Sequence, residues 1–162
     1  MTTQLTIPAT ALSVAETLPF TALAFKTRAT LPTITQYDPV PEQLFEEAAR
    51  LGLQPAGPIQ FIYTGVTGDE TVPFDLEIAL PVSGEPTGSS AFVLKTFDAF
   101  RHVNYTFVGP WAELMPMYDV LFATLYREGY KPDNRLREVY TIPDFEIPEN
   151  CVTNIQVGLA EG

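Results

Sequence analysis

Apolar residues recur along this chain with two different periods, and their alternation predicts the elements. Between Pro41 and Leu51, Leu44, Phe45, Ala48 and Ala49 fall at helical spacing while Glu42, Glu46, Glu47 and Arg50 take the other positions, the pattern of an amphipathic helix. Pro41 suits its first turn, where a missing N–H costs nothing. Residues Trp111 to Glu128 repeat the pattern with Leu114, Met117, Tyr118, Leu121, Phe122 and Leu125, all read as core. Both helices stop at Gly-x-x-Pro, with a glycine able to take the left-handed C-cap conformation. Runs rich in β-branched and aromatic residues predict strands at 20–28, 59–63, 75–80, 92–97, 101–107, 136–140 and 154–159.

These elements form two copies of one unit. A constant shift of 77 pairs Pro39 with Pro116, Leu44 with Leu121, Phe45 with Phe122, Arg50 with Arg127, Gly52 with Gly129, Pro55 with Pro132, and Tyr63-Thr64 with Tyr140-Thr141. Each copy reads β-α-β-β, over about 18–82 and 91–160 within a single domain spanning 1–162. The fold class expected is therefore α+β: two βαββ modules with antiparallel sheets, related by a pseudo-twofold axis and forming a central groove. Two equal units in one short chain bring together the surfaces that would pair in a homodimer.

Composition narrows the function. The chain carries 20 acids against 9 bases, a net charge of −11, and the bases are scattered from Lys26 to Arg137. That field repels phosphate backbones and attracts cations, which argues against nucleic acid as a direct partner. No helix-turn-helix motif is present. Met1 to Phe20 lacks the features of a secretory leader and no run reaches membrane-spanning length, so a cytoplasmic protein without membrane association is expected. The lone Cys151 forms no internal disulfide and reads as an incidental thiol, and no zinc spacing or nucleotide-binding loop implies a cofactor or metal.

The repeat also points to chemistry. Alternate strand residues share a face, so Ile59, Phe61 and Tyr63 form one stripe and Leu136, Glu138 and Tyr140 its counterpart. Glu138 stands where the first copy has Phe61, which sets one carboxylate between two tyrosines on an apolar face. Burial disfavours the charged form of such an acid, tyrosine hydroxyls favour it, and a bulky organic cation would supply the missing counter-charge. Aromatic rings would add cation–π attraction of about 0.5–2 kcal/mol each. Trp111, following Gly109-Pro110, offers a further ring or else anchors the second helix in the core. Asp75 and Glu77 share a face and read as a solvated pair or a second acidic position, while His102, without an adjacent acid or nucleophile, reads as structural.

In order and spacing, Phe74-Asp75-Leu76-Glu77-Ile78 before Pro81-Val82, Val108-Gly109-Pro110-Trp111, Gly129-Tyr130-Lys131-Pro132 and Arg137-Glu138-Val139-Tyr140 resemble the GyrI-like domain. That domain also occurs as the effector-binding part of bacterial multidrug-sensing transcription activators. The resemblance, which covers about Phe20 to Leu159, implies a groove between two βαββ modules and a Glu-x-Tyr glutamate, here Glu138 with Tyr140, that meets cationic aromatic compounds. For some stand-alone members it implies hydrolysis of reactive cyclopropane-containing toxins with the same acid, and for others a protein partner, a regulator or a topoisomerase. Many members have a histidine two residues before the Gly-Pro, where this chain has Phe107, so a role for that histidine does not transfer.

The function expected is thus a stand-alone binder of bulky hydrophobic cations through Glu138, Tyr140, Trp111, Tyr63, Phe61, Leu136 and Ile59. The alternative is a hydrolase with Glu138 as general base.

Overall fold

The computed structural model describes residues 6–67 and 69–160, so the first five residues of the segment read above for a leader lie outside it. Nine strands and two helices follow one another as β1 (Ser13–Thr17), β2 (Phe20–Ala29), α1 (Val40–Leu51), β3 (Gln54–Pro55), β4 (Gln60–Thr64), β5 (Phe74–Ser83), β6 (Val93–Phe97), β7 (Phe100–Val108), α2 (Leu114–Arg127), β8 (Pro132–Ile142) and β9 (Val152–Leu159). A 3-10 segment, Leu31–Tyr37, leads towards α1, and another, Trp111–Glu113, leads into α2, so the second helix begins three residues later than its apolar period suggests.

All strand pairs are antiparallel, and the sheet runs β1-β7-β9-β8-β4-β5-β2-β6 with β3 beside β5. The order is symmetric about the β4–β8 pair, with β5 and β2 continuing on one side as β9 and β7 do on the other. At that seam Phe61 lies opposite Glu138. These two residues, matched by the 77-residue shift, are direct cross-strand neighbours, and the pseudo-dyad passes between them.

Helix ends follow the same symmetry. Leu53 N–H donates to Ala48 O and Gly52 N–H to Ala49 O, while Tyr130 donates to Leu125 O and Gly129 to Tyr126 O. This paired closure needs a left-handed residue, and Gly52 and Gly129 supply φ of +76° and +86°. Leu44, Ala48 and Leu51 of α1 and Leu114, Met117, Leu121 and Leu125 of α2 are buried in one apolar core with Leu76, Ile78, Ile155 and Val157 of the sheet.

Part of the sheet's other face is also buried, contrary to its mixed sequence. β6 ends at Phe97 and β7 begins at Phe100, yet the two strands lie towards opposite ends of the sheet order. A link this short spans only about 10 Å. The sheet therefore curls back on itself, enclosing Ala22, Ala24, Ile62, Ala79 and Phe97 in a second cluster and burying Gln60, His102 and Arg137.

Candidate functional site

On the helix-bearing face, β4 and β8 form the floor of a cavity of ≈1350 Å³. Phe61 and Tyr63 reach it from β4, Glu138 and Tyr140 from β8, Leu114, Met115 and Tyr118 from α2, and Phe45 from α1. Ile59 lies just before β4, and Leu31 and Ile34 close another side from the 3-10 segment ahead of α1.

Glu138 is the chemical centre. It is 5% exposed, and its carboxylate accepts hydrogen bonds from three phenols: Tyr63 Oη to Oε1 at 2.9 Å, Tyr140 Oη to Oε1 at 2.6 Å, and Tyr118 Oη to Oε2. No Lys or Arg among the described residues forms an ion pair with it. Each charge-assisted bond is worth about 1.5–3 kcal/mol, which offsets the burial of a lone carboxylate. The remaining acids of the cavity wall, Asp38, Glu42 and Glu70, add to the same field, and no basic residue among those described lines the cavity.

Aromatic rings stand around this charge. Tyr140 meets Phe61 edge-on at 5.3 Å and Trp111 at 5.4 Å, and Trp111 meets the largely exposed Phe145 at 5.5 Å. The indole N–H of Trp111 donates to the buried Thr153 hydroxyl at 3.2 Å, which anchors the ring while leaving it on the cavity wall.

No protein-family model and no curated protein matches the sequence. Solved structures do resemble this chain. The EcmrR C-terminal domain superposes with a TM-score of 0.74 at 18% identity, over 93% of this chain and 98% of that one. The chain has the GyrI-like fold. SAV2435 bound to tetraphenylphosphonium superposes at 0.65 with 11% identity, over 92% and 93% of the two chains. A hydrolase encoded by lin2189 from Listeria innocua superposes at 0.59 with 13% identity, over 92% and 91%. In the EcmrR–DNA complex the matching region is 57% of the EcmrR chain.

Within this GyrI-like frame, six residues expected at the site, Ile59, Phe61, Tyr63, Trp111, Glu138 and Tyr140, line the one cavity. Leu136 does not. It packs in the core, opposite Tyr63 on one side and Val157 on the other. Tyr118, expected in the core by its helical spacing, instead turns its hydroxyl to Glu138. Its signal was the hydroxyl itself, since a phenol on an apolar helix face needs a partner. Asp38, Glu42, Glu70 and Phe145 had no motif to reveal them.

Other candidates fall elsewhere. His102 is buried with Nδ1 3.0 Å from Phe100 O, and burial holds its pKa below the usual value. Cys151 is buried and its Sγ accepts the Asp144 N–H at 3.2 Å. Asp75 pairs with Arg28 and Glu77 with Lys95, away from the groove. Phe107 is a core residue whose ring leaves only 3.1 Å for a Cβ at Gly109, itself at φ +152°.

Burial, reinforced by the Glu138 charge, raises Tyr63, Tyr118 and Tyr140 well above the ordinary phenol value. Phenolate therefore forms more readily in the unfolded chain, so this contribution to stability is whole below about pH 10 and is lost as pH rises further. In alkaline titration these three phenolates should appear together with the loss of far-ultraviolet circular dichroism. Their full ionisation in a still-folded protein would contradict the network.

Proposed function

We propose that this chain is a binding domain for bulky hydrophobic cations, in which Glu138 supplies the counter-charge and Phe61, Tyr63, Trp111 and Tyr140 the aromatic walls. The observation that carries this reading is the isolated carboxylate: an anion held by three phenols, with acids and, among the described residues, no base around a large apolar cavity. Only a cation entering the cavity gains from that field. The tetraphenylphosphonium bound by SAV2435, a protein of the same fold, is a ligand of this chemistry. The fold in EcmrR belongs to a protein seen in complex with DNA, so a regulatory partner supplied by another chain or domain fits the same reading, and this domain's acidic balance assigns no DNA contact to it. A cytoplasmic setting accords with ligands of this kind, and no helix among the described residues is long and apolar enough to cross a membrane.

Calorimetric titration with tetraphenylphosphonium and with the neutral, similarly shaped triphenylphosphine oxide tests the reading. Saturable binding of the cation, at least about tenfold tighter than the neutral compound, is the expected result, since about 1.4 kcal/mol of charge interaction suffices for that ratio. Equal affinities would reject the cation assignment.

The hydrolase reading draws on the lin2189 neighbour. Against it, Oε1 of Glu138 accepts two phenols and Oε2 a third, which leaves little acceptor capacity for taking a proton from water. An electrophilic cyclopropane substrate consumed faster with the protein than without it, and not with Glu138→Gln, would reverse this preference.

A further inference from the structure

The curled face of the sheet holds a second cavity, of ≈210 Å³, that the groove does not use. Arg137 lines it, next to Glu138 in sequence and turned to the opposite side of β8. Its guanidinium lies 4.1 Å over the Phe100 ring, and the residue is only 7% exposed. Nη1 has no hydrogen-bond partner among the described residues.

The neighbouring charges are already matched. Lys95 bonds Glu77 at 2.8 Å and Arg135 bonds Asp133 at 2.6 Å, which leaves Arg137 as the cation of this pocket without a direct counter-charge. Asp98 also lines the pocket, from an exposed position. Burial, with the Arg135 charge adding and Glu77 opposing, lowers Arg137 to about 10, so it stays protonated at neutral pH. The guanidinium is an N–H fork, and a buried one whose Nη1 is unpartnered is costly unless an acceptor meets it. Carboxylates match that fork in two parallel bonds, and the Phe97 and Phe100 rings on the wall favour an apolar body behind the carboxylate. The volume holds several heavy atoms, a water occupying about 30 Å³ of liquid.

We propose that this pocket is a second ligand site, taking the carboxylate of a small aromatic organic acid on Arg137, on the face of the sheet opposite the cation groove. The competing arrangement is internal: Gln156 lies opposite Arg137 on β9 and its Oε1 also lacks a partner, so a side-chain rotation could pair the two.

Calorimetry at fixed ionic strength with benzoate, benzamide and inorganic phosphate separates these. Benzoate should bind saturably and benzamide should not, and binding should weaken at least tenfold in Arg137→Gln. In Ala99→Glu, a carboxylate planted at an exposed position on the pocket wall should block benzoate to the same extent while leaving tetraphenylphosphonium binding intact, which also reports folding. Absence of saturable benzoate binding to the wild type, or unchanged affinity in Ala99→Glu, would overturn the site. Phosphate binding in place of benzoate would overturn its assignment to carboxylates.

Discussion

Glu138→Gln should lower the affinity for tetraphenylphosphonium about 100-fold while leaving the neutral phosphine oxide unaffected. A cation about 5 Å from the carboxylate gains ~3 kcal/mol at an effective dielectric constant near 20, and the amide forfeits nearly all of it. The fold should survive. Tyr63 and Tyr140 both donate to Oε1, which the amide oxygen can replace, and Tyr118 can turn to accept from the amide nitrogen at the former Oε2. A loss below threefold in the titration, with the mutant folded, would remove Glu138 from the binding account and leave the rings alone to explain any affinity.

Leu44→Ala and Leu121→Ala should each destabilise the domain by about 3 kcal/mol, the middle of the range for deleting a leucine from a tight core. Both side chains are fully buried, one in each helix, at positions related by the 77-residue shift. The two side chains sit in different helices, and additivity in the double mutant is expected unless they share a packing partner. Urea denaturation provides the measurement. A cost under 1 kcal/mol at either position would mean that its helix is not packed as described, and a strongly non-additive pair would mean that the halves share one packing unit.

The same symmetry governed what could be seen in the sequence. Glu138 stood out because the second copy has an acid where the first has Phe61, and helix and strand periods gave the order of elements from β2 to β9 apart from the two-residue β3. Four features escaped. Tyr118 has the spacing of a core residue, and a 3.6-residue period does not separate a helix face that meets the sheet from one that overhangs a cavity. Leu136 shares the stripe of Glu138 and Tyr140 but is packed in the core between Tyr63 and Val157, and strand alternation does not say where an open groove gives way to packed core. Arg137 was unreadable as a buried residue because its cover comes from the curl that joins β6 to β7, a contact between segments distant in the chain. β1 had no signal either, since Ser13 to Glu16 are all exposed and pair with β7 only along the sheet edge.

The dyad between Phe61 and Glu138 bears on stoichiometry. Two identical subunits meeting at such an axis must present the same residue twice, giving either two carboxylates in mutual repulsion or two rings and no charge. Joining the halves in one chain releases that constraint, so the axis carries one aromatic ring and one negative charge. The groove it bisects has one carboxylate on its axis, and a monovalent cation held there should saturate it at one per chain.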